Sequence, residues 1–347
     1  MKIIVTGANG FIGSWTVRRL LEQGHQVIAV VRRGADRTRH ARMPGMFWLE
    51  EVEPNDTCEW DRLFSKCAAD ALIHLAWHTD PSDYRTSRQN QASLAMSISV
   101  FDRAIAAGIV HIVGVGTCLE YGVTEAIRLA SDPPRPMCAY SEAKHAAHLQ
   151  GRRLAAKRGA TFVWARLFNT YGPGESSPWL TPSALNAWRA GDTFEATAGD
   201  QVRDWTHVSD IADALITLAT HRVQGQVNVC SGSIRPVRTH LQDLARIAGC
   251  ADLLKLGVLP YGEREQMCIT GDATRLRGLG WRPRFTALQG LAHTVEAFRG
   301  RTWSLGGETV ERTTAHNCMG RLPNLPTRAE HARRSAWSEP LHLAEAV

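Results

Sequence analysis

The stretch Lys2-Ile3-Ile4-Val5-Thr6-Gly7-Ala8-Asn9-Gly10-Phe11-Ile12-Gly13 decides the fold. A short apolar strand runs straight into glycines spaced G-x-x-G-x-x-G. A helical pattern follows, with Val17, Leu20 and Leu21 on one face. Gly7 suits a tight turn, Gly10 lets the backbone approach a pyrophosphate, and Gly13 lets helix and strand pack closely. The first turn of such a helix offers N–H groups and a partial positive charge to phosphates. Gly7, Asn9, Gly10, Phe11, Ile12 and Gly13 are therefore candidate contacts for a dinucleotide cofactor.

Outward from this loop the pattern repeats. Strands are expected at residues 2–6, 26–31, 47–51, 71–75, 112–116 and 162–167, with helical segments between them. Leu94, Ile98, Phe101 and Ile105, for example, recur at helical spacing. Apolar strands joined by helices mean an α/β fold with a doubly wound parallel sheet covered on both faces. Beyond residue 171 Gly and Pro become frequent, which predicts a smaller second lobe. A helix through Ile211, Ala214 and Leu215, then a strand at 226–229, looks like a return to the first domain. The expected division is a dinucleotide-binding domain of residues 1–171 and 207–232 and a substrate lobe of 172–206 and 233–302. Residues 303–347 form a tail without an assigned role.

Composition narrows the function. Of 347 residues 44% are hydrophobic and 21% charged, as in a soluble globular protein, so wholesale disorder is excluded. The net charge is +6 without a Lys/Arg block, which favours a small anionic ligand over nucleic acid. No apolar run is long enough to span a bilayer, so no membrane partner is expected. No signal-peptide core precedes the first strand, so a cytoplasmic location is expected. The eight cysteines form no CxxC spacing, so no metal site is expected and free thiols are the default.

Two further clusters carry chemistry. NAD sites place an acid at the end of the second strand for the ribose 2′-hydroxyl. Here that place holds Arg32 and Arg33, whose forked donors suit a 2′-phosphate. NADP(H) is therefore expected ahead of NAD(H). Tyr140 and Lys144 stand four apart, on one helix face. An ammonium beside a phenol, together with the charge of an oxidised nicotinamide, would lower the phenol's pKa. Such a tyrosine exchanges a proton with a carbonyl oxygen as hydride moves. Trp77, His78 and Tyr84 follow the fourth strand's C-terminal end, where open α/β sheets bind ligands, and are candidates to line a sugar pocket.

These motifs, in this order, resemble the extended short-chain dehydrogenase/reductases of the nucleotide-sugar epimerase/dehydratase/reductase type. The resemblance covers about residues 1–300. It rests on the glycine loop, His74-Leu75-Ala76, Gly116-Thr117-Cys118-Leu119-Glu120-Tyr121-Gly122 and Tyr140-Ser141-Glu142-Ala143-Lys144. It continues through Arg166-Leu167-Phe168-Asn169-Thr170-Tyr171-Gly172-Pro173-Gly174, Arg203-Asp204-Trp205-Thr206-His207-Val208 and Leu279-Gly280-Trp281-Arg282-Pro283. It implies a Rossmann domain with a smaller C-terminal substrate lobe. It implies that Thr117, Tyr140 and Lys144 are catalytic, Thr117 by hydrogen-bonding the reacting oxygen. It also implies that Lys144, Leu75 and Ala76 contact the cofactor, and that Asn169 and Arg203 hold a substrate diphosphate. Trp179 is a candidate neighbour of the nucleotide base. Related chains carry an arginine where this one has Gly262, and Arg264 is the candidate substitute.

Within the family, dehydratases carry Thr-Asp-Glu where this chain has Thr117-Cys118-Leu119. The acid–base pair for elimination is missing. Cys118 lies one position from the cysteine that C3 and C5 epimerases use, and is taken as a packing residue. The expectation is NADPH-dependent reduction of the 4-keto group of a nucleotide-diphosphate-linked 4-keto-6-deoxyhexose in deoxysugar biosynthesis, by a homodimer. The alternatives are an NAD-dependent nucleotide-sugar 4-epimerase and a non-catalytic dinucleotide-sensing protein.

Overall fold

The structure is a computed structural model that describes residues 1–36, 38–40, 43, 45, 47–262 and 265–300. The strands in chain order are β1 (Lys2–Thr6), β2 (Gln26–Arg32), β3 (Trp48–Val52), β4 (Ala71–His74), β5 (His111–Thr117), β6 (Thr161–Leu167), β7 (Asn169–Tyr171), β8 (Phe194–Glu195), β9 (Val202–His207), β10 (Gly225–Val229), β11 (Ile234–Pro236), β12 (Leu254–Lys255) and β13 (Cys268–Ile269). The helices are α1 (Phe11–Glu22), α2 (Thr57–Lys66), α3 (Gln89–Ala106), α4 (Ala139–Arg158), α5 (Leu180–Ala190), α6 (Val208–Thr220), α7 (Val237–Ala248), α8 (Thr274–Gly278) and α9 (Ala287–Phe298).

Seven strands form one parallel sheet in the order β10-β6-β5-β4-β1-β2-β3. Ile3 and Val5 face one hydrophobic cluster with Val17, Leu20 and Ile211. Ile4 faces the other, with Val100, Phe101 and Phe162. Alternate residues of a strand point to opposite faces, so a strand buried on both sides must be apolar throughout. The chain proceeds from β1 to β2 and β3, then crosses back to β4 and onward to β10. The reversal lies between β1 and β4, and at such a switch point the carboxyl ends of the strands open a ligand crevice. Thr6 and His74 lie level there.

The chain divides into two compact units. The first holds residues 1–174, 202–235 and 266–287; the second holds 175–201, 236–265 and, among the described residues, 288–300. Residues 172–174, 202–206, 233–235 and 266–287, placed by sequence in the second lobe, thus group with the first unit. Pairing explains most of this. β9 runs parallel to β7 through Asn169↔Trp205 and to β13 through Cys268↔Val202. Trp281 is buried and its indole N–H donates to Asp210 O (3.1 Å). In the second unit β12 pairs with β8, and Thr181 Oγ1 meets His240 Nε2 on α7 at 3.2 Å. The expected tail, 303–347, lies outside the described residues.

Candidate active site

The glycine loop is shaped by backbone. Gly7 has φ +65°, and a Cβ there would stand 2.7 Å from Ala76 N. A Cβ on Gly13 would stand 2.1 Å from Gly7 O, so the start of α1 lies directly on the turn. A Cβ on Gly10 would meet only Gly7 O, at 3.2 Å. Gly10 is the N-cap of α1 and no side chain caps the helix, so its first-turn N–H groups stay available to an anion. Asn9 Oδ1 is a buried acceptor without a partner among the described residues. These features fit the diphosphate of a dinucleotide.

The neighbouring strand end is pinned by polar contacts. Thr6 Oγ1 accepts the N–H groups of Leu75 (3.2 Å) and Ala76 (3.3 Å). The same hydroxyl lies 2.8 Å from His74 Nδ1, and His74 Nε2 lies 2.9 Å from Ser97 Oγ. Burial holds the His74 imidazole down at about 3, with Lys144 adding to the effect. At the end of β2 the two arginines part company. Arg33 pairs with Glu59, whereas Arg32 is exposed and has no ion pair among the described residues.

Thr117, Tyr140 and Lys144 come together. Thr117 ends β5, and its side chain faces the Tyr140 phenol. Tyr140 and Lys144 lie in the first two turns of α4. Ser141 Oγ accepts the N–H groups of Met137 (3.1 Å) and Cys138 (3.2 Å) at the helix start. The Lys144 ammonium donates to Val115 O (2.9 Å) and sits 4.0 Å from the centre of the Trp77 ring. Tyr84 meets Tyr140 edge-on at 5.0 Å. Trp77 and Tyr84 therefore wrap the reacting pair; the Trp77 indole N–H is held by Asn90 Oδ1 (3.0 Å). His78 points elsewhere, with Nε2 2.7 Å from Asp83 Oδ1.

Burial sets the charges. It pushes the Tyr140 phenol well above its ordinary value, and Tyr84, Cys118 and Glu120 add to the rise. Lys144 was expected to bring that phenol down. It does not do so in the protein alone, because the phenol's own burial outweighs it; burial also lowers the ammonium, to about 7. Tyr140 is thus a proton donor as it stands. Burial also pushes the Cys118 thiol up to about 12, so the thiol stays neutral.

Sequence reasoning assigned no role to Glu120, which is fully buried in this corner. The spacing Thr117-x-x-Glu120, a capping-box pattern, was the signal available. Glu120, His145 and His148 bring donor atoms within 4.8 Å of one another. Arg166 Nε already holds the carboxylate at 3.0 Å, and that cation opposes a metal ion there.

The remaining candidates are spread. Asn169, on β7, is buried, and neither of its amide atoms has a partner among the described residues. Arg203, on β9, is also buried. Its neighbour Asp204 is taken by Ser231 and Gly232 N–H groups, both at 2.8 Å. Trp179 lies in the second unit, at the start of α5, and Arg264 lies outside the described residues.

Known proteins resemble this chain along most of its length. UDP-glucose 4-epimerase of Azospirillum brasilense is 26% identical over 323 residues, 85% of this chain and 90% of that protein. dTDP-6-deoxy-L-talose 4-dehydrogenase (NAD(+)) of Aggregatibacter actinomycetemcomitans is 25% identical, covering 78% of this chain and 99% of the relative. Among solved structures, MoeE5 in complex with UDP-glucuronic acid and NAD is 27% identical. It superposes with a TM-score of 0.73 over 87% of this chain and all of its own (100%). The profile of the NAD dependent epimerase/dehydratase family matches residues 3–230, the span that holds the glycine cradle and the Thr117, Tyr140 and Lys144 cluster, and the chain belongs to that family.

Proposed function

We propose that the chain reduces the 4-keto group of a nucleotide-diphosphate-linked 4-keto-6-deoxyhexose with NADPH. The observation that carries this reading is the corner in which Thr117, Tyr140 and Lys144 meet, with the phenol held in its protonated form. A bound nicotinamide dinucleotide supplies the hydride. The chain's own residues handle the proton. Tyr140 Oη gives its proton to the carbonyl oxygen as that oxygen gains charge, and Thr117 Oγ1 donates a hydrogen bond to the same oxygen. The Lys144 ammonium then stabilises the phenolate left behind, and its own position is kept by Val115 O and the Trp77 face.

Selectivity for this reaction rests on two further features. Thr117-Cys118-Leu119 lacks the acid–base pair of an elimination, and the Cys118 thiol is held neutral. Arg32, without an ion pair among the described residues, lies where a 2′-phosphate would be recognised, which supports NADPH over NADH. The unpartnered amide of Asn169 supports binding of the substrate diphosphate, with Arg203 as its cation. A homodimer and a substrate role for the second unit complete the proposal.

The UDP-glucose 4-epimerase relative favours a second reading, a 4-epimerase with tightly held NAD. Purified protein separates the two. Denaturation followed by chromatography of released nucleotide, then titration with NADPH and NADH, is the test. Empty protein that binds NADPH at least about tenfold more tightly supports the reductase. Stoichiometric NAD released only on denaturation supports the epimerase.

A further inference from the structure

Glu120 lies behind the reacting residues, on the single turn Cys118–Tyr121 that follows β5. Its Oε1 accepts Thr117 N–H (3.0 Å) and Trp164 Nε1–H (2.9 Å), and its Oε2 accepts Arg166 Nε–H (3.0 Å). His145 Nδ1 lies 3.8 Å from Oε2. A buried ion pair of this kind adds little stability over apolar residues of equal volume, because both charges lose their water. Its contacts point to another use. The carboxylate binds the backbone of Thr117, the residue that presents its hydroxyl to Tyr140.

We propose that Glu120 is a positioning residue of the catalytic corner: it fixes the end of β5, the strand end that carries Thr117 and, through Val115 O, holds the Lys144 ammonium. This rests on the catalytic reading above and deepens it. Charge supports the geometry: burial lowers Lys144 to about 7, and Glu120 is the group that opposes this. The other groups facing Glu120 are Tyr121 on its own turn, Trp164 and Arg166 on β6, and Tyr140, His145 and His148 on α4. Arg166 stays cationic, and burial keeps His148 neutral, at about 4. His145 Nδ1 is close to the carboxylate, so a His145→Asn control is run alongside.

The test compares wild type and Glu120→Gln in NADPH-dependent reduction of dTDP-4-keto-6-deoxyglucose across pH. The amide can still accept the Thr117 N–H but carries no charge. We expect kcat to fall about 10- to 100-fold with KM within about threefold, and the alkaline decline to begin about one pH unit earlier. A second readout needs no substrate. The ¹³C NMR titration of the Lys144 ε-carbon, resolved from Lys2, Lys66, Lys157 and Lys255, should move to lower pH in Glu120→Gln and stay put in His145→Asn. Coincident pH profiles and an unmoved Lys144 titration overturn the proposal. If Glu120→Gln does not fold, Glu120→Leu/Arg166→Met removes both buried charges and keeps the volume; full activity in that variant also overturns it, and a loss of kcat at unchanged KM supports it. Tyr140→Phe in the same assay separates the two levels. An active Tyr140→Phe sinks the catalytic reading, whereas an inactive one beside a wild-type-like Glu120→Gln sinks only the role of Glu120.

Discussion

The glycine cradle and the proposed catalytic corner stand at the ends of β1 and β5, with β4 between them, and are built by opposite means. The cradle is backbone: Gly7 at positive φ, Gly13 against Gly7 O, and a helix start that no side chain caps. The corner is side chains of high charge cost: the half-buried Tyr140 and the buried Lys144 and Glu120. One region works through shape and the other through protonation. Substitutions in the cradle should therefore act equally at every pH, whereas those in the corner should change the pH profile.

Tyr140→Phe is the largest break. It keeps the ring contact with Tyr84 and removes the proton donor, so kcat for reduction should fall about 10²- to 10⁴-fold with little change in stability. A loss confined to KM would contradict the role. Gly13→Ala comes next. Its Cβ would stand 2.1 Å from Gly7 O, so the turn must shift, and dinucleotide affinity should weaken roughly 5- to 100-fold at all pH values. Fluorescence titration with NADPH at several pH values would show it, and a pH-dependent defect would erase the contrast.

The pH profile itself sharpens the comparison. Lys144 is protonated below about 7 and loses its charge above it, while Tyr140 keeps its proton throughout. kcat/KM for reduction should therefore be level below about 7 and fall about tenfold per unit above it. Lys144→Arg, whose cation does not titrate in this range, should flatten that fall whatever its absolute rate. The smallest effect is at β2. Arg32→Ala should weaken NADPH about tenfold and leave NADH unchanged, whereas Arg33→Ala, already paired with Glu59, should weaken it about twofold. Equal effects would mean that Glu59 releases Arg33 when the cofactor binds.

The same contrast explains what was legible in the sequence. The cradle is local: one strand, its glycines and one helix are contiguous, so Gly7 to Gly13 reveal it. Strands β1 to β6 fall within a residue or two of expectation; in all but the edge strand β3, burial on both faces makes an apolar run. β8 and β12 hold two residues each, too few for any period to show. The corner is assembled across the sheet. Glu120 depends on Arg166, 46 residues later, and on His145 one helix away, and no local spacing announces those partners. The upward push on the Tyr140 phenol in the protein alone was hidden for the same reason, since burial is a property of the folded neighbourhood.

The Thr6–His74–Ser97 contacts have a direction. Thr6 Oγ1 spends its lone pairs on the N–H groups of Leu75 and Ala76, so its own proton goes to His74 Nδ1. His74 must then be the Nε2–H tautomer and donate to Ser97, whose hydroxyl donates to Ser93 O (2.7 Å). Every proton in this row points from the sheet into α3. Asparagine at position 74 could offer an acceptor and a donor but not at the span of an imidazole, so the row would break in its middle and release the Leu75–Ala76 backbone beside the cradle.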